Sequence, residues 1–164
     1  MKKGTLLIAL FTILYVHSNA QLKGFSIGPY VEVSRPTGKL DETNKNGAGV
    51  GLNADIRLGK WGLTASAGYI HFGGKSINTL DGPAETPAIN VIPIRAGLKY
   101  RLAPVIYAKL EGGVANYTGG NGSAVIVSPG IGLRLLGLDV LAKYETWIDN
   151  GSRSFWGLKV GYNF

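Results

Sequence analysis

Very few side chains in this sequence have the type and spacing that catalysis or metal binding requires. Cysteine is absent, which removes disulfides, thiolate metal sites, thiol nucleophiles and a lipid-bearing cysteine. His71 is the only histidine beyond the first twenty residues. To act as a general base it needs a partnered hydroxyl or carboxylate. There is no His-x-Ser pair, and Ser66 and Ser76 are near it only along the chain, so His71 reads as a rim residue at an interface. Two stretches imitate phosphate loops and fail. Gly47-Ala48-Gly49-Val50-Gly51 lacks the G-x-G-x-x-G spacing and opens a strand pattern, not a helix. Gly74-Lys75-Ser76 ends like a P-loop, but Tyr69 stands where the first glycine belongs and no helix pattern follows. No cofactor or metal site is expected, and the chain does not read as an enzyme. The formal net charge is +7. No basic run exists beyond Lys2-Lys3, so nucleic acid is not an expected partner.

What remains is a set of charged residues placed with a regular parity: Glu32, Asp55, Arg57, Arg95, Lys99, Arg101, Lys109, Glu111, Arg134, Asp139, Lys143, Glu145 and Lys159. The elements that carry them alternate apolar with small or polar residues, which is the period of a strand. Eight such segments are predicted: 23–34, 47–58, 61–72, 91–102, 105–115, 123–135, 138–147 and 155–164. In the second, Ala48, Val50, Leu52, Ala54, Ile56 and Leu58 alternate with Gly49, Gly51, Asn53, Asp55 and Arg57. In the fourth, Ile92, Ile94, Ala96, Leu98 and Tyr100 alternate with Arg95, Gly97, Lys99 and Arg101. The apolar parity carries no Asp, Glu, Lys or Arg in any segment. Pro29, Pro93 and Pro129 lie inside strands, where each lacks a ladder donor, so bulges or missing hydrogen bonds are expected there.

The connections alternate long and short, with short turns at 59–60, 103–104 and 136–137. In an antiparallel sheet this puts every long loop at one end. Ten residues at about 3.3 Å each, tilted about 40°, rise roughly 25 Å, the height of a lipid-facing band. The first twenty residues read as a leader: Lys2 and Lys3, an apolar run over 6–16, and small residues Ser18 and Ala20 before a cut at Ala20/Gln21. The final ten residues, Phe-Trp-Gly-Leu-Lys-Val-Gly-Tyr-Asn-Phe, alternate up to Phe164.

Together, the eight segments, the leader ending in Ala20-Gln21 and the terminal Tyr162-Asn163-Phe164 resemble the small outer-membrane β-barrel family, the OmpA/OmpX-like and PorT-like eight-stranded barrels. The resemblance implies an all-β chain. Residues 1–20 would be a cleavable signal peptide and 21–164 an eight-stranded antiparallel up-and-down transmembrane β-barrel in the outer membrane of a Gram-negative bacterium. Tyr162 and Phe164 would then be an assembly signal for the barrel insertion machinery. Outer-membrane lipid would surround the apolar face, and the long loops would meet a surface ligand or envelope protein. An eight-stranded barrel is just wide enough for side chains to fill it. The thirteen charges should therefore pair in the lumen, because an unpaired buried charge is costly. Asn53, Gly97 and Gly132 should sit against charged partners. Three other readings share the alternation: a soluble lipocalin-like carrier of a small apolar ligand with its apolar face inward, a narrow anion-favouring pore, and a lipid-modifying enzyme centred on His71.

Overall fold

Each alternating segment becomes a strand, because period two lets one face be apolar and the other polar without interruption. The structure, a computed structural model, describes residues 24–79, 82–120, 122–149 and 151–164. The expected signal peptide and its cut at Ala20/Gln21 lie outside the described residues. The elements are β1 (Phe25–Thr37), α1 (Lys39–Thr43), β2 (Asn44–Leu58), β3 (Trp61–Gly74), β4 (Ser76–Thr79), β5 (Gly82–Glu85), β6 (Ile89–Arg101), β7 (Ile106–Tyr117), β8 (Ser123–Leu135), β9 (Leu138–Ile148) and β10 (Ser152–Tyr162). Eight strands close into an antiparallel barrel in the order β1-β10-β9-β8-β7-β6-β3-β2. The remaining pair, β4 and β5, is a separate hairpin inside the expected 73–90 loop. Expected strands and observed strands agree to within a few residues. The larger differences lie at the long-loop end, where β1 and β2 run on past the expected boundaries and α1 replaces part of the 35–46 loop. Extension of β1 places Arg35 on the outer wall, paired in register with Trp156.

Short connections match their sequences. The β8–β9 turn holds Leu136 at φ 49° and Gly137 at φ 87°, the left-handed pair that a two-residue hairpin turn needs to follow strand twist. The three strand prolines produce missing pairs and no bulge. Ladder pairing stops at Ala67↔Ile94 and resumes at Ile70↔Val91 in the same register, skipping Pro93. It skips Pro129 likewise, between Val127↔Thr146 and Gly130↔Lys143. At Pro29 the β1–β10 ladder ends at Tyr30↔Gly161, yet Phe164 N–H donates to the Ile27 carbonyl at 2.9 Å beyond it. At Pro93 and Pro129 two consecutive register pairs are thus skipped while the neighbours hold the register.

The outward parity is apolar: Leu52, Leu98, Leu110 and Leu133 are all about half exposed. Near the short turns Trp61 and Tyr100 pack tilted at 4.7 Å, and Tyr162 and Phe164 pack edge to face at 5.0 Å between ring centroids. Farther up the wall Tyr144 and Trp156 form another outward pair at 5.0 Å.

Candidate functional site: the barrel lumen

The inward parity divides the lumen into three layers. The middle layer is a ring of four charges from β1, β6 and β9. Arg95 on β6 reaches Glu145 on β9 at 2.8 Å and Glu32 on β1 at 3.7 Å. Lys143 reaches Glu32 at 2.7 Å and Glu145 at 2.6 Å. All four side chains are buried. Two cations and two carboxylates alternate, so the ring is neutral, and the Trp147 indole donates to Glu145 at 2.7 Å. Beside it Lys109 pairs with Glu111 at 2.9 Å. Lys159 has no acceptor within reach among the described residues and rests 3.6 Å above the Tyr30 ring, where the face of the aromatic ring attracts its charge.

The layer nearer the short turns is a second neutral quartet. Lys99 lies 3.0 Å from Asp139 and 3.4 Å from Asp55. The Arg134 Nε donates to Asp139 at 2.7 Å, and its guanidinium also pairs with Asp55. Tyr107 hydroxyl donates to Asp139, and Asn53 bonds Asn163 across the β1 gap. The inward glycines make this packing fit. A Cβ at Gly51 would stand 2.6 Å from the Tyr30 hydroxyl, and one at Gly132 would overlap the Tyr107 ring. Two neighbours thus differ from expectation: Asn53 faces Asn163, and Gly132 faces an aromatic ring, not a charge.

The layer under the long loops is apolar. Ile70, Phe72, Val91, Ile126, Trp147 and Phe155 interlock, and Leu40 of α1 caps them. Phe72, Trp147 and Phe155 meet edge to face at 5.2–5.7 Å, the geometry their quadrupoles favour. Sequence reasoning missed this plug. Its signal was available, since each of the six is an inward apolar residue at the long-loop end of its strand.

Two expected lumen members sit elsewhere. Arg57 and Arg101 share the inward parity but lie exposed at the short-turn mouth, where water solvates their charge. Neither forms an ion pair among the described residues, and Arg101 donates to the Gly59 carbonyl at 3.1 Å. His71 faces outward and its ring lies 2.6 Å from the Asn90 side-chain oxygen, which also accepts from Tyr69 at 2.9 Å. No Ser or Asp among the described residues bonds to it.

Above the plug, α1 and the base of the β4–β5 hairpin are braced together. Lys75 N–H donates to Thr43 at 3.1 Å, Thr86 N–H to Lys75 at 2.9 Å, and the Asn44 amide to Pro87 at 3.3 Å. The Lys75 ammonium stands 2.8 Å from Asp41 and holds its carboxyl below the usual carboxylate range.

Solved structures carry the same arrangement of strands. Outer membrane protein Ail of Yersinia pestis in a nanodisc superposes with a TM-score of 0.56 at 19% identity, covering 87% of this chain and 100% of that one. The chain has the fold of the small outer-membrane β-barrels. The N-terminal barrel of Pseudomonas aeruginosa OprF gives 0.54 at 14% identity over 85% of this chain and 97% of that one. A de novo designed transmembrane β-barrel gives 0.56 at 18% identity, covering 86% and 96%. No protein-family model and no curated protein matches the sequence.

Proposed function

We propose that this chain is an integral protein of a Gram-negative outer membrane, exported by its leader, whose plugged barrel holds a braced platform at the cell surface. One observation carries the reading: the wall is apolar outside and ion-paired inside. A soluble carrier would reverse those faces, because its ligand needs an apolar cavity and its exterior needs charge. A pore would need a continuous lumen, whereas the apolar plug and the two charged layers fill it with side chains.

The surface role belongs to the platform. Its hydrogen bonds pre-order α1 and the hairpin base, so less conformational entropy is lost when a partner docks. Ail has been solved in complex with the heparin analogue sucrose octasulfate, and the long-loop end of this barrel is the natural place for a surface ligand or envelope protein. Tyr162 and Phe164 face outward at the closing seam, where the insertion machinery could read them.

Amine labelling of intact cells tests the orientation. An impermeant reagent should modify Lys45 and Lys75 rapidly and leave Lys109 and Lys143 untouched. The folded protein should fractionate with the outer membrane and shift mobility on heating before electrophoresis. Recovery in the soluble periplasmic fraction, with Lys109 and Lys143 labelled, overturns the proposal.

A further inference from the structure

The barrel is sealed at one end only. At the short-turn mouth an open cavity of about 390 Å³ remains below the Asp55–Asp139 layer. We propose that this vestibule binds a phosphate-class oxyanion that carries a hydroxyl or ammonium donor on the same molecule.

Charge is the first argument. Arg57, Lys60, Lys99, Arg101 and Arg134 line the cavity, and Asp55 is the one acidic side chain among its lining residues. The inner cations are already neutralised, because Lys99 and Arg134 share Asp55 and Asp139. Arg57, Lys60 and Arg101 have no carboxylate partner among the described residues. Three uncompensated positive charges therefore ring a cavity with low-dielectric walls, which concentrates the field on whatever enters. Two of the three are guanidinium forks, whose planar donors match phosphate oxygens in pairs.

Preorganisation is the second. Arg101 N–H donates to the Lys60 carbonyl at 2.8 Å, and Arg57 N–H to the Gly24 carbonyl at 2.6 Å. The Arg101 side chain bonds Gly59. The backbone of the mouth is thus tied across three strands, so the three cations rise from one braced rim around the cavity. A ligand that neutralises them recovers that cost.

The third concerns the acceptor inside. Asp55 is buried, its Oδ2 is taken by Lys99 and Arg134, and its Oδ1 has no protein partner. A buried unpaired carboxylate oxygen is costly, and Asp55 is among the residues that line the cavity. A hydroxyl or ammonium on the ligand satisfies it while the oxyanion meets the rim. A soluble phosphate ester and an inner-leaflet phospholipid headgroup both present this chemistry. The bilayer source rests on the membrane reading above; the soluble source does not.

The test uses full-length folded protein, assigned by NMR. In neutral detergent micelles, O-phosphoethanolamine should shift the amides of Gly59, Lys60 and Arg101 saturably, and bind more tightly than inorganic phosphate, which carries no ammonium to meet Asp55. The Arg57→Gln/Arg101→Gln variant should lose at least tenfold in affinity, while Arg35→Gln at the opposite end should lose none. The heat-dependent mobility shift confirms that each variant is folded. In nanodiscs without added ligand, phosphatidylethanolamine should shift the same amides relative to phosphatidylcholine if the lipid is the source; shifts only with the added ester assign the soluble source. A folded, heat-modifiable barrel that shows no saturable shift in either setting overturns the vestibule site and leaves the membrane reading standing. Equal affinity in the double variant overturns it as well. Should that variant not fold, the wild-type shift map decides: saturable shifts confined to the long-loop end refute the site.

Discussion

Replacing Arg95 with Met removes one of four charges from the ring of Arg95, Glu32, Lys143 and Glu145. The side chain is fully buried, so no water takes its place beside the two carboxylates. Two unit charges about 4 Å apart interact by about 4 kcal/mol at an effective dielectric of about 20. Arg95 contacts two carboxylates, and its own desolvation cost disappears with it. The variant leaves the ring at −1 with Glu145 held by Lys143 and Trp147 alone. Breaking one member of a buried pair costs about 3–5 kcal/mol, and Arg95→Met should fall in that range. The discriminating partner is Glu145→Gln. In the double variant Lys143 and Glu32 remain as a neutral pair at 2.7 Å. The two single losses should therefore exceed the double loss by about 2–3 kcal/mol. Reversible urea unfolding in lipid vesicles measures all three, followed by tryptophan fluorescence and by mobility on unheated gels. Additive losses, or an Arg95→Met barrel within about 0.5 kcal/mol of the parent, would falsify the claim that the ring acts as a unit, because surface substitutions already vary by that much.

Three further outcomes are expected. Arg at Leu52 or Leu110, both outward near mid-wall, should cost about 2–4 kcal/mol of folding free energy in bilayers; unchanged refolding into vesicles would contradict a lipid-facing wall. Gly132→Ala should cost about 1–3 kcal/mol through overlap with Tyr107, whereas Gly151→Ala, which meets open space, should be neutral; equal unfolding midpoints would refute the packing argument. The Asp41 carboxyl is held low by Lys75, so its contribution is present above the ordinary Asp range and fades as pH falls through it. Protease cleavage at α1 should accelerate below about pH 4, and Asp41→Asn should abolish that dependence.

The vestibule changes how the excess positive charge of the inner parity is understood. Inside the sealed part of the lumen, acids and bases come close to balance. The surplus gathers at the mouth, in Arg57 and Arg101, with Lys60 of the β2–β3 turn beside them, where water and ligands can reach it.

Much of this protein was legible in its sequence. Period-two alternation settles which residues share a face, because successive side chains in a strand point opposite ways whatever the partner. Leu98 and Lys99 were therefore certain to part, and the alternation of long and short connections put all large loops at one end. Alternation is silent about which face lies inside, and it is equally silent about partners across the lumen. Arg95 and Glu145 are fifty residues apart in sequence, and they meet only because barrel closure and strand register bring β6 and β9 to one height. Depth was hidden for the same reason. Parity alone made Arg57 and Arg101 look like lumen charges and left Phe72, Trp147 and Phe155 unread as a plug. A side chain's height in the barrel depends on shear, the stagger accumulated over eight strands, and no local pattern encodes that sum. The strand prolines show the boundary well: the lost donor was certain from the residue type, but only the closed sheet, with neighbours holding register on both sides, decided that the rung would be skipped without a bulge.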